Sequence, residues 1–254
     1  MKTPENTLLN TQIKNIAIIG SSGAIGSALA NCINERFPDA MLYTFSRSVS
    51  SNHMALNPTQ HQHIMIDYEY EDSIAMAAAL ASEKGPLDLV IVATGMLHDE
   101  KMKPEKSLKD LAQANMMALY QANCITPALL AKYFIPRLNP ASPAIFAALS
   151  ARVGSISDNG LGGWYAYRAS KAALNMVIKN AGIETARRNK NAIIVGLHPG
   201  TVDSELSKPF QANVPEGKLF TPTNSANYLL DVLLQLEPEA SGKCFAWDGQ
   251  EIKP

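Results

Sequence analysis

Asn15-Ile16-Ala17-Ile18-Ile19 is a short apolar run that stops at Gly20. The turn Gly20-Ser21-Ser22-Gly23-Ala24-Ile25-Gly26 follows, and then a helical pattern reaches about Arg36. So short and apolar a run reads as a strand buried on both faces. Strand, glycine turn and helix in this order restrict the fold severely. The bare backbone of the turn lets a pyrophosphate approach peptide N–H groups at the positive end of the helix. Gly20, Ser22, Gly23, Ala24, Ile25 and Gly26 are therefore candidate phosphate contacts. Such glycines can also form only a tight, closely packed turn, but the flanking strand and helix favour the phosphate reading.

Comparable runs recur at 41–45, 63–67, 87–93, 143–150, 191–197 and 243–247, which predicts a seven-stranded sheet. Helical patterns separate them at about 73–82, 107–134, 164–188 and 225–236. Strands alternating with helices predict a doubly wound α/β fold, its sheet mainly parallel and helices on both faces. Residues 49–62 read as a polar loop, and 203–223, with Pro209, Pro215 and Pro222, as an irregular lid. Residues 1–13 read as a polar tail and 14–254 as one domain, since no repeat, linker or composition break divides them.

A net charge of −1 with 46% hydrophobic residues offers no surface for a polyanion, so nucleic acid is not an expected partner. Cys32, Cys124 and Cys244 are scattered and odd in number, which fits reduced thiols better than a disulfide framework. His61 and His63 have no cysteine or carboxylate at ligand spacing, so no metal site is expected. The first residues lack the apolar core of a signal peptide, and no apolar run approaches the ~18 residues a bilayer requires. The expectation is a soluble, cytoplasmic protein.

Tyr167 and Lys171 stand four apart in a helical stretch, so phenol and ammonium project from one face. The ammonium is expected to favour the phenolate and make the tyrosine a usable acid. Tyr165, six residues from Lys171, faces elsewhere. An isolated pair of this kind is commonly a solvated helix face, so residues elsewhere must decide. Ser46-Arg47 follows the second strand, and no Asp or Glu occurs between Met41 and Asp67. An arginine there accommodates a 2′-phosphate where an acid would hold a free ribose hydroxyl, which favours NADP(H) over NAD(H). Asp67 closes the third predicted strand, Thr94-Gly95 follows Ala93, and Ser150 ends the fifth. Asn115, inside a helical pattern, needs a partner if it is on an apolar face. Met96, Leu97, Trp164, Leu206 and Phe210 could line an apolar pocket or simply pack in the core.

The glycine turn, Ala93-Thr94-Gly95, Asn115, Ser150, Tyr167-x-x-x-Lys171 and Pro199-Gly200 occur in the order found in short-chain dehydrogenases/reductases. Over about 15–247 the chain resembles that family. The stretches 150–171 and 242–249 are similar to its C-factor-like and sniffer-like carbonyl reductases. The resemblance implies a Rossmann fold and NADPH-dependent reduction of a small aldehyde or ketone, in a homodimer or homotetramer. It implies that Tyr167 donates the proton, Lys171 holds the nicotinamide ribose, and Ser150 bonds the substrate oxygen. Asn115 would hold a water linked to Lys171. Pro199, Gly200, Val202 and Ser204 would line the nicotinamide side, Ala93, Thr94 and Gly95 the ribose, and Asp67 the adenine.

Three departures stand out. The turn's second glycine comes one position early, with Ala24 in its place; the asparagine usual before Ala-Gly is displaced, the chain reading Ala93-Thr94-Gly95; and Ser150 stands farther from Tyr167 than usual. Ser155 is a rival by spacing, but Ser150 closes a strand, where rigid elements hold catalytic groups. The alternative is a dinucleotide-binding signalling or regulatory protein of the C-factor type with little turnover. A Gly-x-Ser-x-Gly hydrolase elbow is absent from the sequence.

Overall fold

The structure is a computed structural model that describes residues 13–48 and 56–254. Most of the polar tail and the first half of the 49–62 loop lie outside the described residues. In chain order come β1 (Asn15–Ile19), α1 (Ala24–Arg36), β2 (Met41–Ser46), β3 (His61–Met65), α2 (Glu71–Ala81) and β4 (Leu89–Val92). Next are α3 (Gln113–Tyr120), α4 (Thr126–Phe134), β5 (Ala144–Leu149), α5 (Tyr165–Thr185) and β6 (Ala192–His198). The chain ends with β7 (Thr201–Val202), β8 (Leu219–Phe220), α6 (Pro222–Leu233), β9 (Cys244–Ala246) and β10 (Glu251–Ile252).

The main sheet has eight strands in the order β10-β9-β6-β5-β4-β1-β2-β3. All its pairings are parallel except β9 with β10, so the strand beyond the expected seven is a short antiparallel edge. β1 lies between β2 and β4, and the order of strands reverses there. Such a reversal opens a crevice beyond the strands' carboxyl ends.

Alternate residues of the buried strands feed two apolar layers, as a sheet covered on both faces requires. Ile16, Ile18, Ile145 and Ile193 pack against Leu29 and Ile33 of α1 and Leu229 and Leu233 of α6. Ala17, Ile19, Phe146 and Ile194 pack against Ile74 of α2, Phe134 of α4 and Leu174 and Ile178 of α5. No helix among the described residues is long and apolar enough to cross a membrane.

Three expectations are corrected. The third strand begins at His61, pairing with Leu42, and ends at Met65, so Asp67 falls in the turn beyond it. The 107–134 helix is broken into a 3₁₀ turn, α3, a π-helical turn (Gln121–Ile125) and α4. Pro127 has no N–H to give the carbonyl four residues back, that of Asn123, and the regular ladder opens there. Within the 203–223 segment, expected to be irregular, Lys208–Asn213 forms a 3₁₀ helix, and β7 and β8 pair in parallel near its two ends.

Candidate active site

The strand ends converge on a cavity of about 590 Å³. One end is built by the glycine turn. Gly20 adopts φ +87°, and a Cβ there would come 2.9 Å from the Ala93 carbonyl carbon, so β1 and β4 approach closely only because it is glycine. Ser22, Gly23, Ala24 and Ile25 line the cavity, whereas Gly20 and Gly26 pack beneath it. α1 begins with Gly23 at its N-cap, without a side-chain cap and without an acidic residue in its first turn. Its first N–H groups and positive dipole end are therefore available to an anion. Ala93, Thr94 and Gly95 form the adjoining wall, and the Thr94 hydroxyl is buried without a partner among the described residues.

The other end of the cavity belongs to α5. Tyr167 and Lys171 both line it, one turn apart and nearly buried. Lys171 Nζ donates to the Leu149 carbonyl at 2.7 Å and lies 6.0 Å from the Tyr167 ring centre. Burial pushes the Tyr167 phenol up to about 12 and pulls the Lys171 ammonium down to about 8, the thiols of Cys244 and Cys124 opposing the latter. The expected lowering of the tyrosine is thus reversed. Its ring sits in an apolar cluster with Leu97, Met102, Leu119 and Ala151, and desolvation dominates.

Ser150 also lines the cavity, but its hydroxyl donates to Asn175 Oδ1 at 2.6 Å. The parity of β5 explains this: Phe146 and Ala148 face the α5 layer, and Ser150 continues their side. Ala151 is the neighbour that packs with Tyr167. Ser155, the rival by spacing, is buried and accepts from Asp158 N–H at 3.1 Å, within its own loop.

Asn115 is half-buried, does not line the cavity, and has no side-chain hydrogen bond among the described residues. The buried asparagine of this region is Asn123, in the π-helical turn. It accepts from Met96 N–H and donates to the Met96 carbonyl, both at 2.8 Å, and donates to Ser170 at 3.2 Å. A Cβ on Gly95 would meet Asn123 Oδ1 and Lys171 Nζ at 3.6 Å each, so both polar groups converge behind that glycine. The signal available in the sequence was Pro127.

Pro199, Gly200, Val202 and Ser204 also line the cavity. Gly200, at φ +77°, is crowded by Phe220, whose ring would lie 2.6 Å from an added Cβ. Leu97, Trp164, Leu206 and Phe210 do line the cavity, whereas Met96 lies outside it. Trp164 packs on Tyr167 and Phe210 at ring separations of 6.2 and 4.9 Å. The 203–223 segment is tied to the segment after β4 by His98 Nε2, 3.0 Å from the Leu206 carbonyl.

Arg152 and His198 are lining residues that sequence reasoning missed. Ser46, Arg47 and Asp67 lie apart from the cavity lining, at the ends of β2 and β3. Ser46 donates to the Ser48 carbonyl, Asp67 accepts from Glu69 N–H at 2.9 Å, and Arg47 is exposed. Arg47 is close enough to Tyr68 to counter part of the burial that pushes that phenol up to about 12.

The sequence profile of the short chain dehydrogenases matches residues 14–215. The chain belongs to the short-chain dehydrogenase family. C-signal of Myxococcus xanthus is 33% identical over 146 residues, covering 58% of this chain and 82% of that one. The 1-hydroxy-2-glutathionyl-2-methyl-3-butene dehydrogenase of Rhodococcus sp. (strain AD45) is 27% identical over 241 residues, covering 93% of this chain and 98% of its own. Among solved structures, the NADPH-bound carbonyl reductase from chicken fatty liver superposes with a TM-score of 0.82 at 23% identity, covering 95% of this chain and 99% of that one. An oxidoreductase family and a cavity joining a free helix N-terminus to a Tyr/Lys pair thus describe the same end of one sheet.

Proposed function

We propose that this oxidoreductase reduces a small aldehyde or ketone to an alcohol with NADPH. The observation that carries the reading is that Tyr167 and Lys171 share one cavity with the uncapped N-terminus of α1. That end suits a pyrophosphate, and the unpartnered Thr94 hydroxyl suits a ribose or phosphate oxygen. NADPH, when bound, supplies the hydride. Tyr167 is fully protonated near neutrality and so holds the proton that the carbonyl oxygen needs. Lys171 would turn from the Leu149 carbonyl to hold the nicotinamide ribose. Ser150 would bond the substrate oxygen once its hydroxyl leaves Asn175. Pro199, Gly200, Val202 and Ser204 would bracket the nicotinamide. Arg47 would pair with the 2′-phosphate, and Asp67 would lie beside the adenine. The dinucleotide in the chicken carbonyl reductase supports the choice of cofactor. Exposed Met117 of α3 and Met176 of α5 support assembly of copies through those helices.

The test is an NADPH-oxidation screen over aldehydes, ketones and quinones, with NADH alongside and Tyr167→Phe as the variant. Loss of one hydroxyl should lower kcat by about 10²–10⁴-fold and leave NADPH affinity within a few-fold. Lys171→Ala should damage both, and Tyr165→Phe neither. The likeness to C-signal favours a second reading, a dinucleotide-dependent signalling protein with little turnover. Wild type and Tyr167→Phe binding NADPH equally, with neither reducing any carbonyl, would establish that reading instead.

A further inference from the structure

α5 begins without the usual means of starting a helix. Its N-cap is Trp164, which makes no side-chain cap, and its first turn contains no acidic residue. Trp164 is also the one non-glycine residue at positive φ among the described residues, at φ 50° and ψ 43°. A left-handed conformation is strained for a bulky residue and persists only where its surroundings fix it. The first intrahelical bond, Arg168 N–H to the Trp164 carbonyl at 2.8 Å, leaves the N–H groups of Tyr165, Ala166 and Tyr167 to find partners outside the helix.

Glu105, from the segment between β4 and α3, meets this need. It is only 2% exposed. Its Oε2 accepts from Ala166 N–H at 3.3 Å, and its main-chain carbonyl accepts from Trp164 N–H at 2.6 Å. A Cβ on Gly163 would come within 3.4 Å of that same carbonyl, so the approach is close along the whole entry to the helix. No Lys, Arg or His among the described residues lies within ion-pair distance of the Glu105 carboxylate. Its side-chain oxygen thus meets the N-terminal, positive end of α5. Tyr167 is the next residue after the bonded Ala166. Ala166 and Tyr167 belong to one apolar cluster, against which Trp164 and Phe210 pack.

We propose that Glu105 is a positioning residue of the active site. By closing the first turn of α5 at Ala166 with its side chain, beside the main-chain carbonyl that holds Trp164, it sets where the Tyr167 hydroxyl stands in the cavity. The proposal rests on the reading of Tyr167 as proton donor, and it adds a residue that touches neither substrate nor cofactor. The cost of losing it should therefore fall on turnover, since the phosphate end is built by other elements.

The test compares Glu105→Gln with Glu105→Met in the full chain. Glutamine keeps an oxygen for Ala166 N–H; methionine keeps the volume and loses the acceptor. Misplacing a reacting group by about 1 Å costs roughly 10²-fold, so Glu105→Met should lower kcat by about 10–100-fold. Its NADPH dissociation constant should stay within a few-fold, and amide exchange over 164–168 should quicken. Glu105→Gln should restore kcat to within a few-fold of wild type and keep exchange slow. A folded Glu105→Met with wild-type kcat and wild-type exchange overturns the proposal. Unfolding of Glu105→Met beside an intact Glu105→Gln also overturns it, by reducing Glu105 to a stability role. If wild type reduces no carbonyl, the functional reading fails, and the exchange comparison still decides whether Glu105 holds the helix start.

Discussion

Ser150 gives its only hydroxyl proton to Asn175 Oδ1 at 2.6 Å, across the interface between β5 and α5. A serine bonded in this way can accept a hydrogen bond but has none to donate. The proposed role of Ser150 therefore requires a rotation of this hydroxyl, or an exchange of the Asn175 amide ends, before it can bond a substrate oxygen. Asn175→Ala should leave kcat at or slightly above the wild-type value, because it frees that proton. Ser150→Ala should lower kcat by about 10²-fold, the usual cost of one oxyanion donor. Steady-state rates on one carbonyl check both, and equal rates for Ser150→Ala and wild type would remove Ser150 from the chemistry.

Asn123 and Asn115 should separate sharply. Asn123→Ala strands the half-buried N–H and carbonyl of Met96 that its buried amide satisfies, along with a bond to Ser170. An unsatisfied buried group costs about 1–3 kcal/mol, so stability should fall by at least that much. Asn115→Ala has no such bond to lose and should stay within about 0.5 kcal/mol of wild type. Urea unfolding curves of the two variants make the comparison.

Arg47 should set cofactor preference. It is exposed at the end of β2, beside Tyr68, where a 2′-phosphate could pair with it. NADPH should bind more tightly than NADH, and Arg47→Asp should shrink or reverse the difference by about 1–3 kcal/mol. Titrations of both cofactors against both proteins measure it, and equal wild-type dissociation constants would refute the assignment.

His198 should weaken the fold in acid. Burial, with Arg152 adding to it, pulls its imidazole down to about 4, and Nδ1 has no partner among the described residues. Between about pH 6.5 and 4 the unfolded chain binds a proton here that the folded chain refuses. Stability should therefore drop as pH falls through this window, by up to about 1.4 kcal/mol per pH unit from this group. In His198→Asn that share of the slope should vanish. Unfolding free energies at pH 7, 6 and 5 test it; parallel curves for the two proteins would show that His198 takes no part.

The sequence by itself determined the sheet and the candidate chemistry. Apolar runs such as 15–19 and 191–197 have few alternatives to a buried parallel sheet, because residues apolar on both sides need cover on both faces. The glycine turn and the four-residue spacing of Tyr167 and Lys171 are local properties, legible wherever local geometry alone decides. Tertiary structure decided what depends on distant partners. Asn123 rather than Asn115 stands beside Lys171, because the helix opens before Pro127 and turns one amide onto Met96. The Tyr167 phenol is raised where the neighbouring ammonium was expected to lower it, because desolvation by the apolar cluster outweighs a charge drawn to the Leu149 carbonyl. The start of α5 is the clearest case: Trp164 does not cap it, and the carboxylate that does comes from Glu105, on a separate segment of the chain. No periodicity or local spacing encodes that contact, since it exists only once the segment after β4 has folded over the helix that carries Tyr167.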